Sequence, residues 1–159
     1  IAVKAGMPLK MASKIDKVDQ EYFDESIKPM IEANSNLVDF TGEFEIDKKR
    51  EFVGNAKAML FPIDWPEPFG LVMIESMSCG TPVIGFRCGS VPEVIDEGVT
   101  GFIVDSVDEA VAALQKVDQL DRRKIRERFC ERFSDKRMTA DYVRLYEKMV
   151  AKQRSVEVA

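Results

Sequence analysis

The stretch Pro62-Ile63-Asp64-Trp65-Pro66-Glu67-Pro68-Phe69-Gly70-Leu71-Val72-Met73-Ile74-Glu75-Ser76-Met77-Ser78-Cys79-Gly80-Thr81-Pro82 decides the fold of this chain. It leaves a near-continuous apolar run, Ala58 to Pro62, that reads as a strand. It then opens a helix from Gly70 to Cys79, which Gly80 stops, and a further apolar run from Pro82 to Phe86 reads as the next strand. Working upstream, Leu9 to Ala12 and Leu37 to Thr41 are also strand-like, the second ended by Gly42. Between them Asp19 is placed to cap a helix carrying Phe23, Ile27, Met30 and Ile31, and Asp47 to Ala56 is helical. Working downstream, a short helical turn begins at Pro92 and Gly101 to Val104 forms a fifth strand. Ser106 and Glu109 have capping-box spacing and open a helix through Leu114. Two more helices follow, one holding Ile125, Phe129 and Phe133, the other Met138, Tyr142, Leu145, Tyr146 and Met149. Strands apolar on both faces, alternating with helices, predict a parallel sheet covered on both sides. The expected fold is therefore α/β, a Rossmann-like doubly wound parallel sheet with helices on both faces, over residues 1–134. A C-terminal helical tail follows over 135–159.

Bulk properties narrow the chemistry. The chain has 159 residues, enough for one domain with a real core, and 45% hydrophobic and 32% charged residues suit a folded protein rather than a disordered one. A net charge of -5 disfavours nucleic acid as a partner. Basic residues concentrate in Arg122-Arg123-Lys124-Ile125-Arg126-Glu127-Arg128, which reads as a solvated helix face. Cys79, Cys88 and Cys130 are an odd, scattered set, expected to be free thiols, with Cys79 and Cys88 serving buried packing. With no His in the chain, a His-based catalytic triad is excluded and a structural zinc site is not expected. No run reaches the ~20 apolar residues of a membrane span and no signal peptide is visible, so the expected location is cytoplasmic. Because Ile1 falls inside what reads as the end of a helix, the chain is expected to be a part of a longer protein.

In an open α/β sheet, ligands bind outside the carboxyl ends of the strands, which is where residues 62–70 lie. Glu75 sits among Leu71, Val72, Met73, Ile74 and Met77, a composition that predicts a buried helix. A carboxylate there needs donors: either a pair of ligand hydroxyls such as ribose 2′- and 3′-OH, or a Lys or Arg from elsewhere in the fold. Gly70 lets backbone approach a ligand closely, and the first-turn amides after it favour an anion, so Phe69-Gly70-Leu71 would cradle a diphosphate. The alternative is a tight turn with no ligand. Glu67, one turn earlier, is free to accept hydrogen bonds from sugar hydroxyls beside the phosphate. Trp65 is placed at the mouth of the same cleft, against a sugar or as rim packing.

Glu67-Pro68-Phe69-Gly70-Leu71-Val72-Met73-Ile74-Glu75, followed by Ser78-Cys79-Gly80-Thr81-Pro82-Val83-Ile84, resembles the EX7E signature of the group 1 (family 4) glycosyltransferases, which have the GT-B fold. Val38-Asp39-Phe40-Thr41-Gly42 is similar to the family's strand and glycine before the base pocket. Gly89-Ser90-Val91-Pro92-Glu93-Val94-Ile95 and Gly98-Val99-Thr100-Gly101-Phe102-Ile103-Val104 resemble its later conserved stretch. The resemblance implies that Glu67 contacts the donor sugar near the reacting carbon and that the amides of Gly70 and Leu71 hold the pyrophosphate. Glu75 would bind the ribose, and the base would lie near Gly42, Glu43 and Phe44. It further implies a retaining, metal-independent transferase using a nucleoside-diphosphate sugar (UDP, GDP or ADP), with no cofactor, and a tail that crosses to an acceptor-binding N-terminal domain.

The chain departs from the family pattern in three places. Ala12-Ser13-Lys14-Ile15 stands where a Gly-x-Gly turn is usual, leaving Lys14 as the candidate phosphate contact there. Gly89-Ser90 replaces Gly-Gly, and the family's phosphate-gripping Arg and Lys stretch is missing. This chain alone is accordingly expected to bind nucleotide weakly and to transfer no sugar. The competing readings are a GT-B-like nucleotide-sugar epimerase or phosphorylase, and a non-catalytic α/β signalling or interaction module. The module would need an acidic cluster ending the first strand, which Met11-Ala12-Ser13-Lys14 lacks. Neither G-x-x-x-x-G-K-[ST] nor G-x-G-x-x-G occurs.

Overall fold

The computed structural model describes residues 1–43 and 46–157. In chain order these form α1 (Ala2–Ala5), β1 (Leu9–Met11), α2 (Gln20–Tyr22), a π-helical turn (Phe23–Ile27), α3 (Lys28–Ala33), β2 (Val38–Phe40) and α4 (Ile46–Gly54). Then come β3 (Met59–Phe61), α5 (Leu71–Ser78), β4 (Val83–Phe86), α6 (Val91–Val94), β5 (Gly101–Val104), α7 (Val107–Leu114), a 3-10 turn (Val117–Gln119), α8 (Arg122–Phe133) and α9 (Asp135–Glu157). Every strand pairing is parallel, as the alternation of apolar runs and helices requires. Hydrogen bonding divides the strands into two ladders, β1-β2 and β3-β4-β5.

Alternation along the strands of the larger ladder builds a core on each face. Met59, Phe61, Val83 and Ile103 face one way, onto Met73 and Met77 of α5, Val91 and Val94 of α6, and Ile125 of α8. Leu60, Ile84, Phe102 and Val104 face the other way, onto Ala110, Ala113 and Leu114 of α7. Helix α7 starts as its capping box predicts: Ser106 Oγ accepts from the Glu109 amide at 3.2 Å, and Glu109 reaches back to the Asp105 amide at 2.8 Å. The helix expected after Asp19 forms, but Asp19 makes no side-chain cap, and the coil widens over Phe23–Ile27. Pro29 explains the widening, since it has no amide hydrogen for the Glu25 carbonyl and its ring crowds that oxygen.

The basic run in α8 is not a purely solvated face. Arg122 donates to the carbonyls of Gly54 (2.6 Å) and Ala56 (2.9 Å) at the end of α4, and to Thr81 Oγ1 at 2.7 Å. Arg126 donates to the Ser78 carbonyl at the end of α5, and Arg132 to those of Glu93 and Val94 at the end of α6. One helix thus supplies cations to the C-termini of three others, where unpaired carbonyls and the helix dipole favour positive charge. Arg128 and Arg132 also share Asp96, at 2.8 and 2.6 Å, and its hydrogen bond raises the Arg128 guanidinium above its ordinary range. Helix α9 packs mainly on α8 and carries exposed Met138, Tyr142, Leu145, Tyr146 and Met149 at helical spacing. No helix among the described residues is long and apolar enough to cross a membrane.

Candidate functional site

The segment joining β3 to α5 runs along the carboxyl end of the larger ladder, where sequence reasoning put the ligand. Trp65, Pro66 and Glu67 close a three-residue turn, with the Glu67 amide donating to the Trp65 carbonyl at 2.8 Å. The β4–α6 loop holds that turn from behind: Cys88 Sγ lies 3.0 Å from the Trp65 carbonyl, and the Ser90 amide donates to the Glu67 carbonyl at 2.9 Å. Gly89 between them has φ +52°, and a Cβ there would fall 2.4 Å from the Glu67 nitrogen. The Gly89-Ser90 departure from the family pattern therefore keeps the one glycine that the contact needs.

Glu67 is half-buried, and each of its oxygens has a donor. Oε1 accepts from the Gly70 amide at 3.2 Å, and Oε2 accepts from the indole Nε1 of Trp65 at 3.1 Å. The carboxylate is fixed in orientation, with lone pairs left for hydroxyls. Gly70 sits at the N-cap of α5 with φ +71°, and a Cβ on it would lie 2.6 Å from the Met73 side chain. The Gly70 amide, expected to meet a phosphate, donates to Glu67 in this structure. The free first-turn donors are those of Leu71 and Val72, which have no partner among the described residues. Phe61, Trp65, Glu67, Phe69, Gly70 and Leu71 help line a cleft of about 590 Å³ at this point.

Glu75 differs from expectation. Helix α5 buries Met73, Ser76 and Met77 at i, i+3, i+4 spacing, which turns Leu71, Glu75 and Ser78 outward. The Glu75 side chain is 42% exposed, and Lys49 of α4 binds its Oε1 at 2.7 Å. The carboxylate is thus met by a protein cation rather than held in apolar surroundings, while Oε2 has no partner among the described residues. A separate hollow of about 140 Å³ lies there, lined by Lys49, Arg50, Val53, Glu75, Ser78 and Cys79. Glu67 and Glu75 therefore open onto two separate hollows, the first at the start of α5 and the second between α4 and the later turns of α5.

Lys49 was missed in the sequence, although Lys48-Lys49-Arg50 is a basic triplet that could have been matched to the one acid in α5. Gly42 accepts from the Ser13 amide at 3.1 Å, which brings the ends of β1 and β2 together, and Glu43 beyond it is exposed. Phe44 lies outside the described residues. Lys14 pairs with Asp16 at 2.8 Å on the surface and makes no contact with Glu67 or Glu75. Cys79 and Cys88 are only partly buried, and Cys130 is exposed; all are free thiols. No group of three or more potential metal ligands converges among the described residues.

A parallel α/β body with a fixed carboxylate and a glycine-led helix start at the carboxyl end of a strand has clear relatives. The chain is 34% identical over 108 residues to the N-acetyl-alpha-D-glucosaminyl L-malate synthase of Bacillus anthracis, a match covering 63% of this chain and 28% of that protein. Its fold superposes on the sucrose-phosphate synthase of Thermosynechococcus elongatus with a TM-score of 0.77 and 24% identity, over 95% of this chain and 41% of that one. It superposes on Anabaena Alr3699/HepE, solved in complex with UDP, with a TM-score of 0.71 and 20% identity, over 97% and 44% of the two chains. The chain therefore spans less than half the length of these proteins, and its α/β fold matches one part of their GT-B architecture. The family model for "Glycosyl transferases group 1" matches residues 13–136, and the chain belongs to that family.

Proposed function

We propose that this chain is the donor-binding half of a retaining glycosyltransferase that moves a sugar from a nucleoside diphosphate to an acceptor. The observation that carries the reading is the Glu67 carboxylate, fixed by Gly70 and Trp65 beside the unpaired amides of Leu71 and Val72 in an open cleft. In this reading the two amides and the α5 dipole receive the diphosphate, and Glu67 accepts from hydroxyls of the attached sugar. Both donors already bound to Glu67 temper its repulsion of the phosphate. Glu75 keeps Oε2 for a ribose hydroxyl while Lys49 holds Oε1, and the base lies toward Gly42 and Glu43, which lead into α4. Helix dipole and amides offset the phosphate charge here without a divalent cation. The exposed apolar stripe of α9 is the face that an acceptor-binding half would cover.

The donor nucleotide is UDP, GDP or ADP; Alr3699/HepE, which shares the fold, was solved with UDP. Calorimetric titration of the chain with each nucleotide tests the reading. One of them is expected to bind, and Glu75→Ala to weaken it by about 1–3 kcal/mol, the size of a charge-assisted hydrogen bond. Unchanged affinity in that variant would leave Glu75 as no more than a surface ion pair.

A further inference from the structure

The cleft around Glu67 has an uneven chemistry. Trp65, Phe69 and Leu71 expose 58%, 41% and 65% of their surface around a single fixed carboxylate. A ligand that suits such a place needs hydroxyls along one edge and C–H groups across a face. That is the description of a pyranose ring, whose apolar face packs on aromatic rings while its edge hydroxyls donate to a carboxylate. Trp65 is the one residue that touches both requirements. Its indole N–H holds Glu67 Oε2 at 3.1 Å, and that bond fixes the plane of the ring. Its backbone is held as well, with the carbonyl taken by the Glu67 amide at 2.8 Å and by Cys88 Sγ at 3.0 Å. A large apolar side chain anchored at both ends yet left open to solvent is preorganised for a ligand, because little freedom remains to be lost on binding.

We propose that Trp65 is a sugar-binding residue of this cleft: its N–H positions Glu67, and its exposed ring is the platform for the pyranose of the donor. The proposal rests on the donor-site reading above and adds to it the residue that separates nucleotide sugar from bare nucleotide.

The chain has a single tryptophan, so its emission reports on Trp65 alone. The chain is titrated with UDP, GDP and ADP and with their glucose conjugates, following indole emission and the amide signals of Leu71 and Val72 together. A glucose conjugate is expected to shift both, and the matching bare nucleotide to shift only the amides. Trp65→Leu is expected to weaken the conjugate about three- to tenfold with the bare nucleotide unchanged, and Trp65→Phe, which keeps a ring but lacks the N–H, to fall between Trp65→Leu and the parent. In the ligand-free protein, Glu67→Ala is expected to move the emission to longer wavelength as the N–H turns to water. Amide shifts with a conjugate but no emission change would overturn the role of Trp65 and leave the donor site standing. An equal emission change with bare nucleotide would assign the ring to the base and overturn it too. No amide response to any of the six probes would remove the donor site and the platform together.

Discussion

Lys49 and Glu75 face each other from α4 and α5, and both remain about half open to water, at 46% and 42%. Exposed pairs of this kind contribute little to stability, because solvent screens the attraction and two long side chains lose freedom. A double-mutant cycle with Lys49→Ala and Glu75→Ala, read by thermal or denaturant unfolding, is expected to give a coupling of no more than about 1 kcal/mol. A coupling of about 3 kcal/mol or more would mean that the carboxylate is held for the fold and not kept for a ligand. The position of Glu75 in the chemistry-bearing segment was legible from spacing, but its environment was not. Counting apolar neighbours suggested burial, whereas the helical period puts Glu75 on the outward face with Leu71 and Ser78. The partner of Glu67 was also out of reach, since nothing in the order of residues shows that the Trp65 ring turns back onto a carboxylate two positions later.

Among the elements, the alternation of strands and helices could be read directly, because the strands of the larger ladder are short apolar runs separated by helical stretches. The role of α8 could not, because a run of arginines looks alike whether it faces water or the ends of other helices. Arg122 shows the difference, with one guanidinium joining Gly54, Ala56 and Thr81. Its loss would leave carbonyls at the end of α4 without donors. Arg122→Ala is expected to cost about 2 kcal/mol, lowering the melting temperature by about 4–8 °C. A melting temperature within about 1 °C of the parent would show that water replaces the guanidinium without loss.

At the scale of the whole molecule, the core lies on the two faces of the β3-β4-β5 ladder and is closed by α5, α6, α7 and α8. Helix α9 takes no part in either cluster. Removal of residues 135–159 is therefore expected to leave a folded body that melts within about 3 °C of the parent, a change of about 1 kcal/mol or less. Loss of a cooperative transition on truncation would show that α9 belongs to the folding unit. The tail was legible as a helix with one apolar face, but what covers that face is a property of a surface and not of a periodicity. The same division applies to the candidate site. The place of Glu67 at a strand end follows from the fold class, whereas the separate hollow at Glu75 arises from how α4 and α5 meet.

The donor diphosphate is placed at the first turn of α5, and an amide-resolved NMR titration of the chain with UDP, GDP and ADP tests that placement most directly. The signals of Leu71 and Val72 are expected to move most and to saturate together with those of Gly42 and Glu43. Saturable binding that leaves Leu71 and Val72 unmoved would contradict it.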